Sequence, residues 1–490
     1  MKRIDEQIAA RQKKRSSLED AGIEVYPARA PRTASLSDLR HEIDRESEKR
    51  TTISVVGRIR SIRSHGGSTF LTMTDEEGEM QILLKKDELG EGEYERWTKN
   101  MDIGDFFTFS GTFFRTKKGE LTLSASRAAI VAKALRPIPE TYFGLKDRET
   151  LLRKRYLDLL LNEKTRMLFR QKAVFWQTIR AFLVREGFLE VETPVLESIP
   201  GGADAKPFST TYTALEEERF LRISLELPLK RLLVGGFEKV FEIGRIFRNE
   251  GISAEHLQDY TQCEFYWAYA DYRDLMKMTT KLFLEVVQQL HGTHTVDARG
   301  RAIDFSLPWK RYDYFTVFQE HTSLDLHTAT LEELRTKAKA LKCVLTGKEG
   351  RGRYIDLLFK MLVRPTLQEP GFLVDPPVDI EPLAKRLPND PQRVQRFQIM
   401  AWGTELGKGF SELNDPVDQR KRFREQMELR AAGDDEAQRI DDDYLEAMEY
   451  GMPPAAGFGM SERLFAFLVD KHVRETVLFP PVRTENNENT

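Results

Sequence analysis

The segment from Phe241 to Tyr272 carries the side chains of this chain that are best suited to chemistry. Arg248 can grip a phosphate or a carboxylate with its planar fork of donors, and Tyr260 can lie against a purine ring. An Arg and a Glu two residues apart, followed by a His, a Tyr and a second Glu, predict a nucleotide-binding hairpin. The candidate site residues there are Arg248, Glu250, His256, Tyr260 and Glu264.

Two short runs must position these side chains. Residues 240–243 and 264–267 flank a polar loop rich in Asn, Gly, Ser, His and Asp. This pattern predicts two antiparallel strands joined by a long connection. The alternative is an ordinary surface hairpin, which would close in about two to five residues and would not carry so many ligand-type side chains.

Length and composition bound the class of protein. The chain has 490 residues, of which 40% are hydrophobic and 31% charged, so it can build two or three domains with substantial cores. It has no run of about 18 apolar residues and no signal-peptide centre, which predicts a cytoplasmic protein without a membrane partner. The net charge of −3 argues neither for nor against nucleic acid. Cys263 and Cys343 are too few for a disulfide framework, so we expect reduced thiols without a catalytic role.

The N-terminal third changes period at about residue 51. Residues 1–50 are predicted to be a helical, partly basic extension, which is either an arm for a phosphate backbone or a solvated helix face. Five short alternating runs with Gly-bearing turns follow in residues 51–135 and predict a small closed barrel, the oligonucleotide-binding (OB) fold. Cations, an aromatic platform and a side-chain amide suit single-stranded bases, although Phe70 could equally be a core residue. The candidate nucleic-acid contacts are Arg58, Phe70 and Gln81.

Residues 136–155 are predicted to be a Pro-bearing linker, and a helix is predicted over about 164–186. From residue 155 onward, eleven short sequence motifs follow one another along the chain. They are RYLDL (155–159), EVETP (190–194), IPGGADAKPF (199–208), LKRLLVGGFEKVFEI (229–243), FRNEGIS (247–253), AYADY (268–272), PLAKR (382–386), GFSELNDP (409–416), AGDDEA (432–437), EYGMPPAAG (449–457) and VLFPPVR (477–483).

In these motifs the chain resembles the class II aminoacyl-tRNA synthetases and, among them, the lysyl-tRNA synthetases. The resemblance implies an α+β catalytic domain at 156–482, with a mostly antiparallel sheet flanked by helices, a helical insertion at about 309–365 and a polar tail at 483–490. It implies a homodimer that joins L-lysine to tRNA-Lys with ATP. The barrel would then bind the anticodon.

The same resemblance assigns roles at the nucleotide end. Arg248 would hold the α-phosphate beside the incoming carboxylate, Glu250 would meet the adenine edge, and Tyr260 would stack on the ring. His256 would face the terminal phosphate, and Arg463 would cover the other face of the ring. Glu405 and Glu412, seven residues apart, could lie on one side of an irregular strand and bind Mg²⁺ with phosphate oxygens, unless both are merely solvated.

Amino-acid choice depends on the charge of the pocket. An ammonium requires carboxylates, and the resemblance gives this role to Glu226 and to Glu264 with Tyr266, with backbone contacts from Gly202. A plain ion pair of Glu226 with Lys230 is the alternative. The full predicted set for lysine is Gly202, Glu226, Arg248, Glu264, Tyr266, Lys408 and Glu412.

Three departures from the family pattern stand out. Lys408 occupies a position where the family usually has an Asn that touches the amino acid, and its ammonium would repel the substrate's unless it pairs with the carboxylate end. GFGMSER before Arg463 is one residue shorter than usual, and HLQDY replaces a more common loop. Two other functions stay open: a lysyltransferase that modifies elongation factor P, and an inactive RNA-binding paralogue.

Overall fold

The computed structural model describes residues 2–43, 52–139, 147–251, 253, 255–298, 300–343, 349–431, 433 and 439–482. They fall into two compact units, Met1–Lys146 and Asp147–Thr490. Three predicted segments lie wholly or partly outside the described residues: part of the linker (140–146), most of the AGDDEA motif and the tail (483–490). Among the residues that are described, no helix combines the length and the apolar composition needed to cross a bilayer.

The first unit is the predicted five-stranded barrel. Its strands close in the order β1-β2-β3-β5-β4, and alternate side chains such as Val55, Leu71 and Phe109 fill the interior. The five strands expected from the period-two runs are therefore confirmed. The strands are β1 (Ile53–His65), β2 (Ser68–Thr74), β3 (Glu79–Lys85), β4 (Phe106–Arg115) and β5 (Leu121–Ala132), and the helices are α1 (Lys2–Asp20), α2 (Leu36–Ile43), α3 (Lys86–Leu89) and α4 (Glu91–Asn100).

The second unit combines helices with short and long strands. Its helices are α5 (Arg148–Arg153), α6 (Arg155–Leu161), α7 (Glu163–Arg185), α8 (Glu226–Val234), α9 (Tyr272–His291), α10 (Tyr314–Thr322), α11 (Leu331–Ala340), α12 (Arg351–Leu358), α13 (Pro416–Ala431), α14 (Asp442–Glu449) and α15 (Arg463–Leu468). A π-helical turn covers Phe359–Val363, and 3₁₀ turns cover Arg364–Thr366, Val378–Ile380 and Val473–Thr476.

Its strands are β6 (Leu189–Glu190), β7 (Leu196–Glu197), β8 (Ser209–Tyr212), β9 (Glu217–Leu221), β10 (Lys239–Phe247), β11 (Asp259–Ala268), β12 (Thr295–Ala298), β13 (Arg301–Asp304), β14 (Lys310–Asp313), β15 (Gly371–Val374), β16 (Arg386–Leu387), β17 (Asp390–Val394), β18 (Arg396–Ala401), β19 (Thr404–Ser411) and β20 (Ala455–Ser461). Eight of them form the main sheet in the order β14-β15-β18-β19-β20-β11-β10-β6. Only the β14–β15 and β10–β6 pairs within it are parallel, so the predicted mostly antiparallel sheet is confirmed.

The two faces of the main sheet differ in chemistry because successive side chains of a strand point to opposite faces. Phe265 and Phe458 lie on the face that packs in one apolar core with Phe175 and Phe182 of α7 and with residues of α9. Each such buried side chain contributes about 1.5–3 kcal/mol to folding. The opposite face carries the polar residues of β11, β18 and β19, and this face holds the candidate site.

The predicted hairpin is present. β10 and β11 pair antiparallel from Lys239 opposite Trp267 to Phe247 opposite Asp259, and the polar loop connects them. The stretch 309–365 contains the predicted helices, but it begins with β14, which is a strand at the edge of the main sheet.

Candidate active site

Two joined cavities, of about 280 and 400 Å³, open on the polar face of the main sheet. Arg248, Lys360, Gln398 and Arg463 line both of them. The smaller cavity contains most of the residues predicted to bind the amino acid, and the larger one contains those predicted to meet phosphate. The geometry therefore provides one continuous polar site with two ends.

Glu264 of β11 is held by a ring of neutral donors. The hydroxyls of Ser224 and Tyr266 donate to its carboxylate at 2.9 and 2.8 Å, and the side-chain amide of Gln262 donates at 2.6 Å. The backbone N–H of Leu225 adds a bond of 3.1 Å. In the described part of the chain no cation forms an ion pair with this buried carboxylate.

A buried cluster of two acids and one base, the acidic triad, lies at one end of the smaller cavity. Lys230 of α8 forms ion pairs with both Glu226 and Glu412, and its ammonium lies 5.4 Å from the ring centre of Phe410. All three charged groups are at least 94% buried at the side chain. The ion pair of Glu226 with Lys230, which was the alternative to a role in binding, is present, but Lys230 is shared between two carboxylates. When both carboxylates are ionised, the triad has one negative charge in excess.

Titration in the acidic triad reflects this excess. Burial raises the pKa of Glu226 to about 7, against the attraction of Lys230. Burial also raises the pKa of Glu412, with Lys230 opposing the shift and Glu226 adding to it. Although burial opposes it, the pKa of Lys230 is raised by Glu226 and Glu412 well above its usual value. Lys230 thus stays charged, and the second carboxylate needs another cation to stay fully ionised near neutral pH.

Two glycines let the backbone approach this end of the site. Gly202 has a φ of +81°, and a Cβ atom there would lie 2.9 Å from Cβ of Glu226 and 3.0 Å from Cβ of Ser224. A Cβ atom at Gly457 would collide with the ring of Tyr266 and with the carboxylate of Glu412. Any larger residue would displace the side chains that form the pocket.

The nucleotide end is built from the hairpin and from the start of α15. Arg248, Glu250, His256 and Arg463 all line the larger cavity, and Tyr260 lines the smaller one with the guanidinium of Arg248 at 5.8 Å from its ring centre. The Nε–H of Arg248 donates to the carbonyl of Ile223 at 3.2 Å, which fixes the guanidinium. Partial burial, followed by the charge of Arg463, lowers the pKa of His256, so this ring is neutral at pH 7. The structure brings together all five residues predicted for this end.

The use of Glu405 and Glu412 as joint metal ligands stays a prediction. Glu405 lies on β19, and Glu412 follows the end of that strand. Glu412 pairs with Lys230, while Glu405 accepts a hydrogen bond from the amide of Gln398 on the neighbouring strand β18. Among the described residues no group of three or more His, Cys, Asp and Glu side chains could hold a metal.

The outer face of the barrel brings two of its three predicted contacts together. Phe70 is half-buried, lies outside the barrel core and stands opposite Arg63, so the core alternative for Phe70 is wrong. Gln81 lies on the adjacent strand opposite Thr72 and donates to Glu120 at 2.9 Å. Arg58 lies farther along β1, with its guanidinium 4.2 Å from the ring centre of Phe106.

Comparisons with known proteins agree with this geometry. Residues 147–483 match the family described as class II tRNA synthetases (D, K and N), and residues 53–131 match the OB-fold nucleic acid binding domain. The chain belongs to the class II tRNA synthetase family. Relatives of this synthetase include the lysine–tRNA ligase of Carboxydothermus hydrogenoformans, 42% identical over 98% of each chain. Those of Moorella thermoacetica and Bacillus subtilis are 43% identical over 97% and 40% identical over 98% of each chain.

The synthetase site also contains residues that the sequence did not single out. Gln262 is two positions before Glu264 on β11, and Arg396 and Gln398 alternate on β18, so the period of a strand could have indicated all three. Glu381 follows a 3₁₀ turn, where no periodic signal exists. Its carboxylate pairs with Lys408 at 3.1 Å and with Arg396 at 3.4 Å.

Proposed function

We propose that this chain is a lysine–tRNA ligase, which activates L-lysine with ATP and then transfers the lysyl group to the 3′ end of tRNA-Lys. The observation that carries the proposal is the acidic triad, because two carboxylates share one cation there and the ammonium of a lysine side chain would supply the second. The curated relatives named lysine–tRNA ligase, aligned over nearly the whole chain, support the same conclusion. Glu264 provides the second carboxylate, which suits the α-ammonium of the same substrate.

The chemistry requires positioning and charge neutralisation rather than a nucleophilic side chain. An oxygen of the lysine carboxylate attacks the α-phosphorus of ATP, and pyrophosphate leaves. Arg248 would bind the α-phosphate at the point where charge develops, and it lines both cavities. A terminal ribose hydroxyl of the tRNA then attacks the acyl carbon, and AMP leaves.

The other residues of the nucleotide end would fix the base and the phosphates. Tyr260 would stack on adenine with Arg463 on the opposite face, Glu250 would accept from the adenine edge, and His256 would face the terminal phosphate. Their position around the larger cavity supports these roles.

Glu405 fits a magnesium ion that is bound together with ATP, because Mg²⁺ in nucleotide sites often takes one or two protein carboxylates and completes its coordination with phosphate oxygens. Although burial opposes it, the charges of Arg463 and Arg396 lower the pKa of Glu405, which keeps this carboxylate ionised. An ion held there would neutralise phosphate charge during the transfer. Glu412, the second carboxylate predicted for the metal, is fully buried against Lys230.

For the barrel we propose that Phe70 stacks on an anticodon base, that Gln81 reads a base edge and that Arg58 adds positive charge. Base stacking on an aromatic side chain contributes about 1–3 kcal/mol. Phe70→Ala should therefore raise the KM for tRNA-Lys about tenfold without changing lysine activation. An equal loss in both reactions would contradict an anticodon role.

A homodimer in the cytoplasm completes the proposal. β6 is at one edge of the main sheet, and next to it α7 exposes Met167, Val174 and Val184 in addition to Leu189 of the strand. These apolar side chains can pair with the same surface of a second copy. Sedimentation velocity of the full chain should give twice the monomer mass of 56.7 kDa.

The decisive experiment is ATP–pyrophosphate exchange with lysine, aspartate and asparagine in turn, followed by charging of tRNA-Lys. We expect exchange with lysine alone. Exchange only with aspartate or asparagine would refute the substrate, and no exchange with any amino acid would favour the inactive paralogue. Transfer of lysine to elongation factor P but not to tRNA would identify the alternative enzyme, which lacks a barrel of this kind.

A further inference from the structure

Arg364 lines neither cavity, but it bonds to two loops that carry residues of the nucleotide end. It is the first residue of the 3₁₀ turn that follows the π-helical turn. Its Nη2 forms an ion pair with Glu255 Oε2 at 2.7 Å, and its Nε–H donates to the carbonyl oxygen of Gly403 at 2.6 Å. Glu255 belongs to the loop between β10 and β11, and Gly403 to the turn between β18 and β19. These two bonds form the arginine bridge.

On the hairpin side, the arginine bridge holds the residue that precedes His256. The backbone N–H of Glu255 donates to the hydroxyl of Ser253 at 3.1 Å, and the same hydroxyl is hydrogen-bonded to Nδ1 of His256 at 2.7 Å. Leu257, which follows His256, is buried in one apolar cluster with Ala466 of α15. His256 is therefore held from both sides, by an ion pair at the preceding residue and by an apolar contact at the following one.

On the other side, the arginine bridge holds the turn two residues before Glu405. The carbonyl of Gly403 accepts from Arg364, and the N–H of Gly403 donates to the carbonyl of Leu367 at 2.8 Å. Gly403 has a φ of +63°, and a Cβ atom there would lie 3.1 Å from the carbonyl oxygen of Arg364. The turn is thus packed directly on the segment that begins at Arg364, and this contact fixes the start of β19.

The charges of the arginine bridge act on the place where the terminal phosphate would lie. Burial, followed by Arg463, lowers the pKa of His256. The two members of the bridge act on this ring in opposite directions, since Glu255 raises its pKa and Arg364 lowers it. Both therefore lie within electrostatic reach of the group that would face the phosphate. A carboxylate beside that group would repel phosphate unless a cation neutralises it, and Arg364 supplies this cation.

We propose that Arg364 is a positioning residue for the polyphosphate of the nucleotide. Through the arginine bridge it holds the loop of His256 and the turn before Glu405 in one arrangement, and it neutralises Glu255. The inference rests on the proposed function, which gives His256 and Glu405 their roles, and it adds a residue that lies outside both cavities. The predicted insertion thus contributes to nucleotide binding through Arg364.

The test compares ATP with AMP, which keeps the base and the α-phosphate but lacks the two outer phosphates. Isothermal titration calorimetry of the full-length protein, with Mg²⁺ and without an amino acid, measures both dissociation constants. Arg364→Met should raise the Kd of ATP about tenfold, the usual effect of losing hydrogen bonds to a charged group. The Kd of AMP should stay within about twofold of its original value, because AMP does not reach the loop held by the bridge. The KM for lysine in pyrophosphate exchange should stay within the same limit.

Two further variants separate the arginine bridge from a general change in structure. In the Glu255→Gln background, Arg364→Met should raise the Kd of ATP by less than about threefold, because no bare carboxylate is left behind. Arg393→Met is the matched control, since Arg393 forms an ion pair with Asp313 at 2.6 Å and lines neither cavity. Its side chain is 18% exposed and that of Arg364 is 21% exposed. Arg393→Met should change neither dissociation constant.

Equal weakening of ATP and AMP by Arg364→Met would overturn the inference, because it would show a general disturbance of the nucleotide site. An unchanged Kd of ATP would overturn it as well, and so would a tenfold loss that persists in the Glu255→Gln background. Absence of lysine-dependent exchange in an unaltered protein that still binds ATP is a different result. It would refute the proposed function and would leave the binding comparison intact.

Discussion

The acidic triad and the cluster of Arg396, Glu381 and Lys408, the basic triad, are mirror images in composition. The pKa values of Glu226 and Glu381, one carboxylate from each, are shifted in opposite directions. In the acidic triad Glu226 shares Lys230 with Glu412, and burial raises its pKa to about 7. In the basic triad Glu381 has two cations to itself; burial raises its pKa, but Lys408 and Arg396 outweigh burial and hold it below its usual value. Both carboxylates are almost fully buried, so burial alone does not decide their charge.

The number of cations beside each carboxylate decides its charge. A buried ion pair with matched charges is self-sufficient, whereas a cluster with one charge in excess is incomplete until a ligand supplies the missing partner. The two triads are incomplete with opposite sign, and Lys408 of β19 is four residues before Glu412, which follows the end of that strand. Together they orient a substrate with an ammonium at one end and a carboxylate at the other.

The largest effect is expected from Glu412→Gln, which removes the excess charge of the acidic triad and leaves Glu226 and Lys230 as a neutral pair. We expect kcat/KM for lysine to fall about a hundredfold to a thousandfold, the usual result of removing one partner of a buried charge pair. Steady-state pyrophosphate exchange measures it. The KM for ATP should change by less than about twofold.

Glu405→Gln is the matched control at the other end of β19. It should raise the Mg²⁺ concentration needed for exchange and leave the KM for lysine nearly unchanged. If Glu412→Gln instead changed the Mg²⁺ requirement and left the KM for lysine unchanged, Glu412 would be a metal ligand. The contrast between the two triads would then be wrong.

Sequence patterns predicted the elements well but did not predict the partners of Glu405 and Glu412, for a single physical reason. Alternation and helical spacing are local, so they located the barrel strands, α7 and the β10–β11 hairpin. Glu405 is also seven residues from Gln398. The segment between these two residues contains the tight turn at Trp402 and Gly403, both of which have positive φ. That turn brings Gln398 to Glu405, whereas Glu412, just after the end of β19, pairs with Lys230 of α8.

The basic triad shows the other limit of sequence reasoning. The sequence shows Lys408 as a cation in a pocket predicted to bind cations. It does not show the partner of Lys408, because Glu381 is 27 positions away after a 3₁₀ turn. A contact between an irregular segment and a strand leaves no periodic trace. Only the folded chain shows that the unusual cation has its own carboxylate.

A smaller effect is expected from pH acting on the acidic triad. Because Glu226 has a pKa of about 7, a proton occupies the triad below that pH and neutralises the charge that the substrate ammonium needs. The KM for lysine should therefore rise about tenfold as the pH falls from 8 to 6, a range in which the side chain of lysine itself stays protonated. In Glu412→Gln the remaining Glu226 has Lys230 to itself, so the inflection should move to lower pH. A KM that is constant over this range would contradict the incomplete charge balance.

The smallest effect concerns Glu197, a half-buried carboxylate outside both triads and therefore a reference for a carboxylate without a paired cation. Burial raises its pKa to about 8, aided by Asp441 and opposed by Arg222 and Arg231. One of its oxygens has no hydrogen-bond partner among the described residues. Since the folded chain holds this proton more tightly than the unfolded chain, the contribution of Glu197 to stability is full below about pH 4.5 and is lost as the pH rises toward 8.

Glu197→Gln imitates the protonated acid at every pH, so it should match the original protein near pH 5 and melt about 2 °C higher near pH 8.5. Differential scanning calorimetry across that range measures the divergence. Glu381→Gln should behave in the opposite way, because the pKa of Glu381 is lowered and its charge stabilises the fold above about pH 4.5. If both variants gained stability with rising pH, cation number would not govern these carboxylates, and the excess charge assigned to each triad would lose its basis.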